Sequence, residues 1–349
     1  MALKKTPFSR GVNLTKWFEV QNTRTLKFDK FTEQDFANIK SLGADVIRLP
    51  IRMHDMTARD PACTLDPLLL EYMDTVIGWA EKHKLYIILD NHSFHPLNPT
   101  DVNIDRILVK VWAQLARRYK DRGEYLIYEV LNEPHKIDDG RWAEIQEVTI
   151  DAIRQIDTVH PIMVGGTEYN SIDKLLLLPE YKDNNLIYTF HFYDPHIFTH
   201  QGATWDSPSL APLTGVPFPL DGRKIPKIPE SFKGTWAEAS LKNYEHEAAF
   251  STLTATLEKA AEFAKKRDVP VFCGEFGVYM IQIPHEDRVK WYEFVTGELE
   301  KLNISWAIWD YFGGFGLFNT VEGGDFNKDL NLDVVRALGL TPPAKKETL

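Results

Sequence analysis

Two glutamates, Glu133 and Glu275, are the residues of this chain best placed to do chemistry. Glu133 ends the run Tyr125-Leu126-Ile127-Tyr128-Glu129-Val130-Leu131-Asn132-Glu133-Pro134, and Glu275 ends Pro270-Val271-Phe272-Cys273-Gly274-Glu275. Both runs are apolar, β-branched and aromatic, the pattern of a strand buried on both faces. Pro134 cannot donate to a sheet ladder and biases Glu133 toward extended backbone, so the strand is expected to stop there. Each carboxylate would stand at the carboxyl end of a buried parallel strand, where barrel enzymes place their catalytic groups. A pair of carboxyl groups facing one cleft is the machinery of glycoside hydrolysis. One must be protonated to donate to the leaving oxygen, and the other ionised to attack the anomeric carbon, so their environments have to separate their pKa values.

The elements that would position these residues alternate along the whole chain. Strand-like runs fall at 10–14, 44–50, 85–90, 125–133, 162–165, 186–191, 270–275 and 304–309. Helical spacing marks 67–83, 104–119, 141–157, 244–267, 286–302 and 332–338. Thr32-Glu33-Gln34-Asp35 reads as a capped helix start, with Phe36, Ile39 and Leu42 at helical spacing and Gly43 as the stop. Eight strands interleaved with helices fit a closed (β/α)8 TIM barrel better than an open sheet. The expectation is a single domain over 1–349. A long irregular, Pro-rich insertion at about 195–240 follows the sixth strand and forms a cleft wall.

The ends of these strands carry Asn13, Arg48, Asp90 and His92, Asn132 and Glu133, His191 and Tyr193, Glu275, and Trp309. Taken singly, each has a dull explanation: Arg48 as a structural ion pair, either histidine as a satisfied core residue, Trp309 as a plug. Closing the barrel brings all of them to one rim, and that convergence carries the functional reading. Arg48 and the Tyr193 hydroxyl are suited to keep Glu275 ionised, while partial burial and the charge across the cleft would keep Glu133 protonated. Asn132 could bond a sugar 2-hydroxyl, and Trp309 offers a flat apolar wall beneath the reacting ring.

Composition narrows the partners. The net charge is -10 and no basic stripe exists, which argues against nucleic acid. Two cysteines, Cys63 and Cys273, have no metal spacing and suggest no disulfide framework. No apolar run of membrane-spanning length is present. The first residues lack a signal-peptide core, so the expectation is an extracellular enzyme whose signal peptide has been removed, with a cytoplasmic one as the alternative. Aromatic residues make up 12% of the chain, more than a core alone needs, and exposed ring faces suit sugars.

Together, Ile47-Arg48-Leu49-Pro50, Asp90-Asn91-His92, Glu129-Val130-Leu131-Asn132-Glu133-Pro134, His191-Phe192-Tyr193, Gly274-Glu275-Phe276-Gly277 and Trp309 resemble glycoside hydrolase family 5. Its members are retaining (β/α)8 enzymes that include endo-β-1,4-glucanases. The resemblance implies Glu133 as acid/base and Glu275 as nucleophile, with Arg48, His92, Asn132, His191, Tyr193 and Trp309 around the reacting sugar. It implies no metal and no cofactor. The stretch from Asp194 to Trp205 resembles a loop of bacterial endoglucanases active on cellulose-type and some mannan-type chains, which brings His200 and Trp205 to the sugar. One departure is Asn91-His92, where that subgroup often has His-His.

The expected partner is therefore a β-glucan polysaccharide or oligosaccharide, cleaved by a monomer. Trp17, Phe18, Trp205, Trp236, Phe312 and Phe315 are candidates for further sugar platforms. The rivals are a β-mannanase, a hydrolase of a smaller β-glucoside, a non-catalytic carbohydrate-binding barrel and a phosphate-binding barrel. The last would call for a Gly-rich phosphate loop after the seventh or eighth strand, which this sequence does not have.

Overall fold

Eight parallel strands follow one another around a closed barrel: β1 (Arg10–Asn13), β2 (Val46–Ile51), β3 (Tyr86–Asn91), β4 (Leu126–Glu129), β5 (Ile162–Gly165), β6 (Leu186–Phe192), β7 (Val271–Phe276) and β8 (Ser305–Ile308). The computed structural model describes residues 3–58 and 60–343. The helices are α1 (Glu33–Ser41), α2 (Pro67–His83), α3 (Asp105–Tyr119), α4 (Asp139–Arg154), α5 (Thr167–Asn170), α6 (Ile172–Leu175), α7 (His196–Thr199), α8 (Trp236–Lys242), α9 (Tyr244–Glu247), α10 (Phe250–Arg267), α11 (His285–Lys301) and α12 (Leu332–Ala337). The longer ones bury an apolar stripe against the outer face of the strands, such as Leu108, Val111, Trp112 and Leu115 of α3. The expected cap on α1 is present: the Thr32 N–H donates to Asp35 at 2.8 Å, and Gly43 takes the left-handed conformation just past the helix. Among the described residues, no helix is long and apolar enough to cross a membrane.

Inside the barrel, polarity changes along the strand direction. Val46, Ile88, Ile127, Met163, Ile187 and Phe272 form an apolar floor with Phe8 and Ala307. Two residues further along β2, β3 and β4, the same inward face carries Arg48, Asp90 and Glu129, all buried. Apolar packing therefore holds the barrel shut at one end, and the other end is free to carry charge.

Three expectations are corrected. β4 ends at Glu129, four residues before Glu133, because its ladder with β5 covers only Tyr128 and Glu129. Val130 still donates to Met163 and Asn132 to Asn91, but the chain is already arching over the rim. The expected helix 244–267 is two helices, since Ala249 is extended and divides α9 from α10. The insertion after β6 is not structureless. Leu210, Leu213, Val216, Phe218 and Phe232 are buried in it, and Gln201 exchanges two hydrogen bonds with Val216. Asp287 of α11 anchors it by accepting from the Phe218 N–H at 3.1 Å and from Arg223 at 2.9 Å. The short α7 and α8 flank it. A segment rich in proline thus folds on buried side chains rather than on a backbone ladder.

Candidate active site

Arg48 is the hub of the charged layer. Its Nε donates to Glu129 Oε2 at 2.7 Å and its Nη2 to Glu129 Oε1 at 2.9 Å. Nη2 also reaches Asn132 Oδ1 at 2.7 Å and lies 3.0 Å from Asp90 Oδ2. Nη1 donates to Asn13 Oδ1 at 3.0 Å and to Glu275 Oε1 at 2.7 Å. A guanidinium only donates, so it fixes which way each neighbouring amide turns. With Oδ1 of Asn132 held by Arg48, the NH2 group is left toward His92 and the cleft. With Oδ1 of Asn13 held likewise, its NH2 donates to the Gly274 and Ile308 carbonyls.

Glu275 reaches the interior through a register shift. β6 and β7 pair Phe190 with Cys273 and then His191 with Glu275, so Gly274 is the extra residue of a bulge. In uninterrupted alternation Phe272 and Gly274 would face inward and Glu275 outward. The bulge turns Glu275 in. Gly274 fits because a Cβ there would lie 2.9 Å from Thr189 Oγ1.

One carboxylate oxygen of Glu133, one of Glu275 and a ring nitrogen of His191 all lie within 4.8 Å of one another. His191 Nδ1 is 2.7 Å from Glu133 Oε1 and 3.6 Å from Glu275 Oε2. In spacing alone these three atoms could hold a cation, but the short His191–Glu133 bond already pairs two of them. Burial, and then the nearby charge of Glu275, hold the Glu133 carboxyl well above the usual range. Burial also raises Glu275, but Arg48, His92 and the Tyr193 hydroxyl oppose it. The Tyr193 hydroxyl donates to Glu275 Oε2 at 2.9 Å, and burial with the adjacent carboxylates keeps it protonated. Burial holds His191 and His200 well below the ordinary histidine value, so both rings are neutral. The asymmetry favours the proton on Glu133 and the charge on Glu275.

The two glutamates open into a cleft of about 1010 Å³. His92, Asn132, His191, Tyr193, His200, Trp205 and Trp309 all line it. Trp309 stacks on His92, ring centres 5.5 Å apart and planes 15° apart. Trp205 and Trp236 are 39% and 40% exposed and stand on the wall built by the insertion. Phe315 also lines the cleft.

Other candidates are placed differently. Asn13 and Arg48 do not line the cleft; they lie below the rim, their polar atoms taken up by the network just described. Trp17 and Phe18, at 1% and 0% exposure, are core residues rather than platforms: Trp17 packs among Phe28, Phe31 and Trp79. Phe312 packs on Tyr311 and Phe318 instead of the cleft. Asn91 is fully buried, its amide 3.1 Å from His54 Nε2 and away from the cleft.

Three residues were missed. Glu129 begins the stretch that ends in Asn132-Glu133-Pro134 but was given no role, although a lone charge in an apolar run is itself a signal. Glu19 has its carboxyl 3.9 Å from His92 and its pKa raised by burial, and nothing in its local sequence points to that. Tyr169 lines the cleft, 38% exposed, where Glu168, Tyr169 and Asn170 all have left-handed backbone. Its ring stacks on His135 at 4.4 Å, and its hydroxyl donates to the Pro96 carbonyl at 2.9 Å. Backbone of that kind persists where the surroundings hold it, commonly at functional sites.

With this geometry in hand, comparison with known proteins is specific. The family model for cellulases, glycosyl hydrolase family 5, matches residues 9–313. Endoglucanase C of Acetivibrio thermocellus is 32% identical over 315 residues, covering 87% of this chain and 91% of its own. The crystal structure of endoglucanase Cel5A from the hyperthermophilic Thermotoga maritima superposes with a TM-score of 0.77 at 30% identity, covering 95% of this chain and 96% of that one. The structure of Thermotoga maritima Cel5A in complex with mannotriose gives 0.75 at 28% identity, covering 95% and 97%.

Proposed function

The chain belongs to the cellulase family, glycosyl hydrolase family 5, and from that premise we propose that it is a retaining endo-β-1,4-glucanase acting on cellulose-type or mixed-linkage β-glucans. Glu275 is the nucleophile and Glu133 the acid/base. The observation that carries this reading is the approach of one carboxylate oxygen of each to within 4.8 Å, with Arg48 and the Tyr193 hydroxyl both donating to Glu275 and favouring its ionised form. Retaining enzymes hold the two groups about 5–5.5 Å apart, whereas inverting ones leave about 6.5–9.5 Å for a water.

In the first step Glu275 attacks the anomeric carbon while Glu133 protonates the departing oxygen. Glu133, now ionised, then takes a proton from water, which opens the glycosyl ester and returns Glu275. Arg48 and Tyr193 orient the attacking carboxylate, and the Asn132 amide donates to the sugar 2-hydroxyl as charge develops on the ring. Trp309 and His92 form one wall of the reacting subsite. Tyr169, Trp205 and Trp236, further out, are platforms for neighbouring sugars, and a polymer long enough to use them is met outside the cell. Every group named lies on one chain, so a monomer suffices.

The test is Glu275→Ala. It should fold and still bind cello-oligosaccharides, but lose turnover. Added azide should restore cleavage of an activated β-cellobioside and give the α-glycosyl azide. Appreciable turnover without azide would remove Glu275 from the role.

A second reading, cleavage of mannan-type chains by the same pair, is favoured by the likeness to Cel5A solved with mannotriose. Initial rates on barley β-glucan, glucomannan and mannan separate the two.

A further inference from the structure

The barrel mouth holds a carboxylate that the two-step reaction does not use. Glu129 is 1% exposed and away from the cleft, yet it occupies Arg48 more fully than the nucleophile does. Three buried carboxylates, Asp90, Glu129 and Glu275, surround this one guanidinium. Asp90 and Glu129 are register partners on β3 and β4, and like charges directly opposite repel. Burial pushes both up to about 7, so at neutral pH they compete for a proton.

Geometry decides where that proton goes. Both oxygens of Glu129 accept from Arg48, at 2.7 and 2.9 Å, a bidentate pairing that favours the ionised carboxylate. Asp90 has Oδ1 buried with no partner, while Oδ2 lies 2.7 Å from His92 Nδ1 and 3.0 Å from Arg48. Of the two, Glu129 has the fuller pairing with the guanidinium and is the better placed to stay ionised.

We infer that Glu129 is a positioning residue: the permanent counterion that keeps the Arg48 fork in place while the charge on Glu275 comes and goes. The inference rests on the reading of Glu275 as nucleophile. As that residue forms its bond to the anomeric carbon, the bond to the leaving oxygen breaks and its electron pair takes the Glu133 proton. Glu275 becomes a neutral ester and Glu133 a carboxylate, so Arg48 Nη1 loses its anionic acceptor in every cycle. Water, giving its proton to Glu133 and its hydroxyl to the sugar, restores the charge on Glu275. Through both halves Arg48 keeps two of its N–H groups on Glu129. Without that anchor the guanidinium would follow the charge, binding the nucleophile too tightly at rest and leaving it in the intermediate.

The groups facing Glu129 are Arg48 from β2, Asp90 and His92 from β3, Glu133 beyond its own strand, and Glu275 across the hub. The experiment is the pH dependence of kcat/KM on a dinitrophenyl β-cellobioside for wild type, Glu129→Gln and Glu129→Asp, with thermal unfolding of each. Alongside it, wild type is labelled with the 2-deoxy-2-fluoro analogue and the labelled peptide identified. For Glu129→Gln, kcat/KM should fall about 100-fold and both limbs of the profile should move about one unit to lower pH, because removing a buried negative charge eases proton loss from Glu275 and Glu133 alike. Glu129→Asp keeps the charge, so its limbs should stay near wild type with a smaller loss of rate. If the Gln variant does not fold, the Asp variant alone decides, and displaced limbs there overturn the inference. Unmoved limbs or wild-type kcat/KM in a folded Glu129→Gln also overturn it, even with the label on Glu275. A label on any other residue overturns the underlying reading instead.

Discussion

At the scale of single residues, the site works by unequal solvation of two like groups. Glu133 is held protonated by burial and by the charge opposite it, so activity should be lost as pH rises through its elevated pKa. Glu133→Gln should abolish that alkaline limb. It should slow substrates with poor leaving groups by about 10²–10⁴-fold, and activated aryl cellobiosides much less in the first step; the pH–rate profile on both substrate types checks this. Asn132→Ala removes the amide that Arg48 turns toward the cleft. It should lower kcat/KM on a cello-oligosaccharide about 10²-fold through a contact made in the transition state, with KM nearly unchanged. These proposed roles were legible because Glu133, Glu275, Asn132 and the aromatic residues lie at or just beyond strand ends, and a barrel has only one rim for strand ends to share. Glu129 was not, because it sits mid-run and its inward aim depends on where β4 stops. Trp17 and Trp205 follow strand ends alike, and sequence alone does not say which of them the core will claim.

At the scale of elements, the proposed nucleophile depends on the bulge in β7. Gly274 is the residue that lets Glu275 face inward, and its absent side chain leaves room for Thr189. Gly274→Ala forces a shift within the β6–β7 pair. We expect kcat on an aryl cellobioside to fall at least about tenfold, with a melting temperature a few degrees lower, since a displacement of about 1 Å at a catalytic group costs about that much or more. A variant with wild-type kcat would mean that the bulge does not position the carboxylate. The insertion after β6 is the other decisive element. Its irregular pattern was legible as a cleft wall, but its folding was not, because Phe218, Arg223 and Asp287 meet across distances that no local periodicity records. Trp236→Ala on that wall should lower the ratio of polymer to aryl-cellobioside kcat/KM about tenfold, the worth of one aromatic platform.

At the scale of the whole molecule, the barrel separates stability from chemistry along its axis. The floor is apolar, and beside it the loop before β5 holds a buried network. His160 Nδ1 lies 2.6 Å from Asp157 Oδ2 and its Nε2 3.1 Å from the Gly123 carbonyl, while Tyr128 donates to the same Asp157 oxygen at 2.8 Å. Both ring nitrogens face acceptors, which suits the imidazolium, and the Asp157 bond raises His160 against the opposing effect of burial. A raised histidine stabilises the fold fully below its unfolded pKa and loses that contribution as pH rises through the folded one. Asp157, lowered by His160 and neighbouring N–H groups despite burial, contributes above its unfolded pKa and loses that contribution in acid. The melting temperature of wild type should therefore decline as pH rises above about 6.5, and His160→Gln should flatten that decline. Closure of the barrel is also what sets the distance between the carboxylate just past its fourth strand and the one on its seventh, a distance legible beforehand only as a consequence of strand count. The most direct measurement is proton NMR of the first product released from a cello-oligosaccharide, before mutarotation. The spacing of Glu133 and Glu275 predicts the β-anomer first, and the α-anomer appearing first would contradict the account.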